Sequence, residues 1–358
     1  MEVLDNKCPA CGAKIEFNPK NQKWDCSYCG SKFSIEEMQK YDNASSKENN
    51  KIEVKLNSEK KLEEMDVYHC KNCGAEVMAD ETTTATFCLY CGSTTILKDR
   101  IIDGIAPSKI IPFKNVKDDV VKEFKNLYKG RPLMPKLFND AKNIEKLVGV
   151  YIPFWSYDLN VFGDINFKTS DTKTWSDYDY SYTKTDEYLT KKDARMNYNG
   201  VLVDASSRFD DDLMDSLEPF NFNELQEYNH AYLSGFLSEK YDVDQNKAIE
   251  RASTRAMNTS IEQIKNTITK NVDCVESNNL NIKNINTDYI LLPVWMMNID
   301  YNGKKYMFAM NGQTRKIVGN IPIDKKKAVI IFLCIFVIVF IIGLIISILM
   351  GAQIWKSI

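Results

Sequence analysis

The chain has 358 residues, 46 Lys and Arg against 49 Asp and Glu, a formal net charge of −3 and a pI near 5.7. Such a balance argues against a protein that coats nucleic acid, which needs a basic excess to displace counterions from phosphate. Arg stands at only seven positions, so planar forks for bidentate reading of phosphate or guanine are few, and 44 % apolar content fits neither a disordered chain nor a uniformly membrane-embedded one.

Eight of the ten cysteines lie in the first 91 residues as four CxxC pairs. Cys8, Cys11, Cys26 and Cys29 recur as Cys70, Cys73, Cys88 and Cys91, displaced by 62, with fourteen residues between the two pairs of each copy. CPACGA and CKNCGA open the copies; CSYCGS and CLYCGS close them. Four thiolates at this spacing can meet one zinc ion tetrahedrally, and Gly12, Gly30, Gly74 and Gly92 allow the positive φ that wraps backbone around a metal. The spacing therefore predicts two zinc ribbons, residues 1–41 and 67–100, with two structural ions. Four-cysteine ligation leaves no position for a catalytic water. A disulfide framework would need an oxidising compartment, and a redox CxxC comes as a single pair on a thioredoxin-like unit. His69, beside Cys70, is a fifth possible ligand, with a surface role preferred. Segments of roughly 30 residues bury too little to fold alone, so the metal is expected to replace a core. Residues 68–97 carry one Lys, Lys71, against Glu76, Asp80 and Glu81, which favours protein contact over phosphate reading.

Residues 42–66 form a polar linker whose part 52–65 has the composition of a short helix. Residues 101–323 are the main soluble mass. Helices are predicted over 117–128 and over 245–269, the latter with an apolar stripe that includes Ala248, Ala252 and Ala256. IPFWSYDLNV from Ile152 is echoed by LPVWMMNIDY from Leu292, matching Pro153 with Pro293, Trp155 with Trp295 and Asp158 with Asn298. Trp175, Tyr178, Tyr180 and Tyr182 predict a strand with one aromatic face, expected to pack against a helix; the acidic residues beside them disfavour a nucleic-acid platform. The run Asp210, Asp211, Asp212, Asp215 and Glu218 has donors for calcium or magnesium, but a helix start is the preferred reading. Asp242, Asp244 and Asn246 imitate an EF-hand opening, but Lys247 and Ser253 fill the glycine and glutamate positions of that loop. Residues 289–318, with Asn302-Gly303 and Asn311-Gly312 between short alternating runs, predict an antiparallel meander with two tight turns. The class is mixed antiparallel α+β.

Residues 328–350 are 23 in number and carry no charge, enough for a helix of roughly 35 Å, which can cross a bilayer. Lys325, Lys326 and Lys327 precede the run and only Lys356 follows it, so the positive-inside bias predicts a single-pass protein of the cell membrane with residues 1–327 cytoplasmic and 351–358 outside. The segment 324–350 is thus a basic flank plus span, and the start MEVLDNKCPACG, which has no apolar signal core, agrees with a tail anchor. The chain has no GxxxxGK[ST] loop, no GxGxxG fingerprint and no HExxH among its two histidines, His69 and His230. Cys274 and Cys334 have no partner motif.

The paired CxxCGA and CxYCGS motifs, IIPFK at Ile110, YIPFWSYD at Tyr151, YLSGFLSEKYDVD at Tyr232, LLPVWMMN at Leu291 and FAMNGQTRKIVGNIP at Phe308 resemble the bacterial transcription-factor-IIB-type zinc-ribbon-containing membrane proteins. Members often carry the label of primosomal helicase homologues, which the absence of a phosphate loop does not support. Arg315 departs from that family's pattern, which has Gly there. The resemblance implies no enzymatic activity. It implies a membrane scaffold that recruits a flotillin-like SPFH partner or a phage-shock-A-like partner, in a setting of envelope stress. The alternatives from the residues are a membrane-tethered nucleic-acid-binding ribbon protein and a metal-dependent enzyme at the bilayer using the acidic run.

Overall fold

The computed structural model describes residues 8, 10, 15–27, 29–38, 65–70, 76–79, 96–101, 105–140, 146–233 and 235–356, with backbone alone at 65–70, 76–79, 96–101, 139, 230 and 347–356. Strands β1 (Ile15–Asn18), β2 (Lys23–Cys26) and β3 (Lys32–Phe33) form a small antiparallel sheet. Its first turn is closed by Gln22 at φ 54°. The helix expected at 52–65 lies outside the described residues except for Met65, which opens a strand.

Strands β4 (Met65–Cys70), β5 (Glu76–Ala79) and β6 (Ile96–Ile101) pair antiparallel, with β4 in the middle. There follow β7 (Lys109–Ile110), helix α1 (Lys117–Lys129), the long β8 (Val148–Ser176) and β9 (Ser181–Asp204), and the short helix α2 (Asp211–Asp215). The chain continues through β10 (Gln226–Glu227), β11 (Leu237–Glu239), helix α3 (Gln245–Lys265), β12 (Asn271–Asn278), β13 (Asn281–Tyr301), β14 (Lys304–Asn311), β15 (Ile317–Gly319) and helix α4 (Lys325–Lys356).

From β4 onward all strands belong to one curled, mainly antiparallel sheet, with the path β10-β7-β13-β8-β11-β5-β4-β6. Among the described strands, only β11 on β8 and β7 on β13 run parallel. The strands of the second cysteine segment therefore continue the main sheet, through Ser238 opposite Met78 and Glu239 opposite Val77. The class is α+β, as expected.

The period of two along β8 and β13 divides the apolar residues between the two faces of the sheet. On one face Trp155, Tyr157, Leu159, Trp295 and Met297 pack with α1, α3 and the first cysteine segment. On the other, Ile152, Phe154, Leu292 and Val294 pack with Phe209, Met214, Leu217 and Phe220. Helix α3 buries Ala248, Ala252 and Ala256, whose small side chains let it lie close to the sheet. Asp244 caps it by accepting from Asn246 N–H at 2.8 Å. It ends at Lys265, short of the expected 269, because Thr267 and Ile268 donate to Ile264 and Lys265 carbonyls three residues back and tighten the chain into a turn.

The meander is present as β13, β14 and β15. Asn302 and Gly303 take φ of 53° and 74°, the twist that a two-residue hairpin turn demands. The second turn differs from the expected tight one: residues 312–315 bridge Asn311 and Lys316, and the left-handed residue is Arg315 at φ 65°, not Gly312. The aromatic face is a further correction. Asp177 to Tyr180 is the turn between β8 and β9, and Trp175, Tyr178, Tyr180 and Tyr182 are exposed at its tip, with no helix over them among the described residues. Helix α4 is apolar enough over Lys325–Ile346 to cross a membrane, and none of its apolar window is buried against the described residues.

Candidate metal centre and contact surface

The alternation Ile15, Phe17 along β1 and Trp24, Cys26 along β2 turns one face of this hairpin inward and leaves its end to the cysteines. Cys8, Cys26 and Cys29 gather there, with their sulfurs all within 4.8 Å of one another and Cys8 Sγ 3.6 Å from Cys29 Sγ. Gly30 takes φ 73° and donates its N–H to Cys26 O at 2.9 Å, while Cys26 N–H donates to Ser31 O, so the chain folds around the Cys26 thiol as the CxxCG motif requires. Cys8 and Cys26 are buried and Cys29 is exposed. Three convergent soft donors could hold a metal ion. Cys11, Cys73, Cys88 and Cys91 lie outside the described residues, as do the side chains of Cys70 and His69.

This centre is fixed to the main body by ordinary apolar packing, which departs from the expectation that metal alone replaces a core. The Trp24 ring lies 4.9 Å from Phe17 and 5.0 Å from Tyr232, and its indole N–H donates to Ala231 O at 2.8 Å. Gln22 Nε2 reaches Phe113 O at 2.8 Å. Burial, with Glu36 nearby, pushes the Tyr232 phenol up to about 12. The period-two apolar pattern of β1 and β2 was the available signal.

The acidic run makes a second cluster, and here two arginines occupy the carboxylates. Arg251 contacts Asp204 at 3.0 Å, Asp211 at 2.8 Å and Asp215 at 2.7 Å; Arg255 contacts Asp215 at 3.3 Å and Glu218 at 2.9 Å. Asp210 accepts from Leu213 N–H and caps α2, in keeping with the helix-start reading. Asp204, at the end of β9, was not singled out from sequence, yet it is the buried member. Burial, reinforced by Asp211 and Asp215 against the opposing pull of Arg251, raises its carboxyl to about 7. Burial also raises Glu218 despite Arg255. In the imitation of an EF-hand, Asp242 accepts from Ser207 and Asp244 caps α3, so neither aims at a common centre. A small apolar cavity lined by Val120, Phe124, Trp295 and Phe308 brings no set of polar groups together.

The third feature is the tip of the β8–β9 hairpin. Trp175 stacks on Tyr182 at 5.7 Å and 17°, with Trp175 52 % exposed and Tyr178 fully so. Beyond Ser170, where β12 stops pairing, the two strands pair only with each other among the described residues. Thr172 faces Thr185 and Thr174 faces Thr183 across the ribbon. Along β8 this tip is at the far end from Val148, near which β13 runs on to Tyr301 and packs with Phe138, close to where α4 begins.

Compared with known proteins, the chain is 34 % identical over 350 residues to the uncharacterized protein YdjG of Bacillus subtilis (strain 168), an alignment that covers 98 % of this chain and 99 % of that one. No family model and no solved structure matches it.

Proposed function

This chain belongs to the family of Bacillus subtilis YdjG, and from that premise we propose that it is a non-enzymatic scaffold, anchored in the cell membrane by α4 and holding a soluble protein against it. The observation that carries this reading is the aromatic tip. Large rings exposed together on a soluble surface mark contact sites for other proteins. A strand of 29 residues reaches at most about 95 Å, less when it twists, so β8 carries the tip well away from the end where α4 starts. An anchor at one end and a sticky aromatic surface at the other suit a tether, which raises a partner's effective concentration at the bilayer without new contacts.

Lys325, Lys326 and Lys327 before the apolar run favour a cytoplasmic body. In that reducing compartment the cysteines remain thiolates for metal, and zinc is the ion that fits: tetrahedral ligation at about 2.3 Å sets sulfurs about 3.8 Å apart, close to the 3.6 Å between Cys8 and Cys29. Cys11 completes the first four-cysteine ribbon, and Cys70, Cys73, Cys88 and Cys91 make a second. As partner, a flotillin-like SPFH protein or a phage-shock-A-like protein follows from the zinc-ribbon family resemblance. The rival enzyme reading loses support because Arg251 and Arg255 occupy Asp211, Asp215 and Glu218 of the acidic run.

The test images tagged flotillin-like and phage-shock-A-like proteins in cells that carry the full-length chain, residues 1–323 alone, or the full-length chain with Trp175→Ala, Tyr178→Ala and Tyr180→Ala. The partner should leave the membrane in the last two strains. Unchanged localisation of every candidate in both, and in a deletion strain, sinks the recruiting reading.

A further inference from the structure

The end of the body from which α4 leaves is strongly basic in a chain whose overall charge is −3. Asp324 begins α4 by accepting from the N–H groups of Lys326 and Lys327 at 3.0 and 3.2 Å. The loop after α1 wraps this point: Asp324 N–H donates to Leu133 O at 2.9 Å, Lys327 Nζ donates to Met134 O at 2.7 Å, and the same ammonium lies 5.8 Å from the Tyr128 ring. Phe138 of that loop packs 5.9 Å from both Tyr301 and Tyr306, which brings the β13–β14 turn alongside.

These contacts set two segments beside the helix start, the loop that carries the exposed Lys129, Arg131 and Lys136 and the turn that carries the exposed Lys304 and Lys305. With Lys325, Lys326 and Lys327 of α4 itself, these segments make a basic collar at the helix start. Among the described residues of these segments the acids are Asp140, Asp300 and Asp324, and Asp324 is engaged as the helix cap. Among the described residues Lys129, Arg131, Lys136 and Lys304 form no salt bridge. Leu137 and Ile323, 38 % and 60 % exposed, add apolar side chains to the same surface.

We propose that this collar binds the anionic phospholipid headgroups of the leaflet that α4 enters. The inference rests on α4 spanning the bilayer, which brings the collar into the headgroup layer. Cations there act over about 8–10 Å before salt screens them, so the collar meets the surface as positive although the whole chain is negative. Each added cation multiplies the attraction about fivefold. Lysine, a mobile point charge, suits a fluid layer of phosphates better than one fixed phosphate. The exposed Leu137 and Ile323 fit the acyl boundary beneath it and have no role in a soluble phosphate site.

The full-length protein would be placed in vesicles of phosphatidylcholine and phosphatidylglycerol, and spin-labelled lipids would give the relative association of each at the protein surface. Phosphatidylglycerol should be preferred about fivefold or more at low salt, less at high salt. The combined variant Lys129→Gln, Arg131→Gln, Lys136→Gln, Lys304→Gln and Lys305→Gln keeps the three lysines of α4 and changes only exposed side chains. It should lose at least about threefold of that preference with an unaltered circular dichroism spectrum. Equal preference in variant and parent, or none in the parent, overturns the collar. Displacement by inorganic phosphate, at matched ionic strength where chloride does nothing, would also overturn it in favour of a discrete phosphate site. Alkaline carbonate separates the two levels: release of the protein from vesicles defeats the spanning reading and the collar together, whereas retained protein without lipid preference defeats the collar alone.

Discussion

Ile152 of β8 lies directly opposite Leu292 of β13, and these two are also equivalent positions of the internal echo. The echo is therefore a local two-fold axis through the sheet. Pro153 faces Leu291 while Pro293 faces Tyr151, and Trp155 faces Tyr289 while Trp295 faces Gly149. Both indoles are turned to the same face, yet their surroundings differ. Trp155 Nε1 donates to Val243 O at 2.8 Å, whereas Trp295 Nε1, buried against the Phe113–Phe236 stack, has no acceptor among the described residues.

The pair should respond unequally to loss of the indole nitrogen. Trp155→Phe removes a made hydrogen bond and strands the Val243 carbonyl, so it should cost about 1–3 kcal/mol. Trp295→Phe also shrinks a packed ring but relieves an unpaired buried N–H, so its cost should be about 1 kcal/mol or more below that of the first. Denaturant midpoints of the detergent-solubilised variants decide this. Equal losses would mean that Trp295 has an acceptor.

How much of this was legible beforehand depends on the range of the interaction. The Asn302-Gly303 turn and the start of α3 at Gln245 are local matters, and there the sequence reading holds; α1 ends one residue from where it was expected. The period of two at Trp175 to Tyr182 reads as one strand, yet Asp177 to Tyr180 is a turn between two, and whether a face is covered depends on where β12 stops pairing, about a hundred residues later. Asp204 looked like any strand-end acid because Arg251 lies 47 positions away. The first cysteine cluster was readable from spacing, whereas the docking of Trp24 on Tyr232 joins residues whose relation no local pattern records.

Asp204 gives the folded state a pH signature. With its carboxyl raised to about 7 in the fold and near 3.9 in the unfolded chain, the folded state binds the extra proton between these values. Its contribution to stability is therefore full below about pH 4 and declines as pH rises to about 7, by at most about 4 kcal/mol. Asp204→Asn keeps the shape and leaves Arg251 its Asp211 and Asp215 partners. The variant should be at least as stable as the parent at pH 8 and should show a shallower fall between pH 5 and 8. An unchanged slope would mean that Asp204 is ionised throughout.

Arg315 holds a left-handed conformation that glycine adopts without cost. Its guanidinium compensates by donating to Asn115 Oδ1, while buried Asn115 Nδ2 holds Gly312 O at 2.8 Å. Arg315→Ala keeps the strain and loses the bond; Arg315→Gly loses the bond and the strain together. The glycine variant should thus be the more stable of the two by about 1 kcal/mol. The opposite order in thermal unfolding would show that the turn changes shape when the side chain is removed.

The final expectation couples the metal to the main core. The hairpin that carries Cys26 also carries Trp24, fully buried between Phe17 and Tyr232 in the same apolar cluster as β8. Metal in comparable small sites contributes on the order of 10–16 kcal/mol to folding, so its removal should free the loops around Cys8 and Cys29 and loosen β1–β2 from the body. Chelation of the full-length protein should then move tryptophan emission to longer wavelength, and Trp24→Phe should abolish most of that shift. Far-ultraviolet dichroism should change little, because β8, β9 and β13 retain their own register and both faces of packing. The unfolding midpoint should fall, since Ile15, Phe17, Trp24 and Met38 no longer cover that face. Cys26→Ser should reproduce the shift without chelator, and metal analysis should show one ion fewer per chain than in the parent. If emission and midpoint stay fixed while metal is demonstrably gone, the docking of the hairpin is independent of the metal and the cysteines serve another purpose.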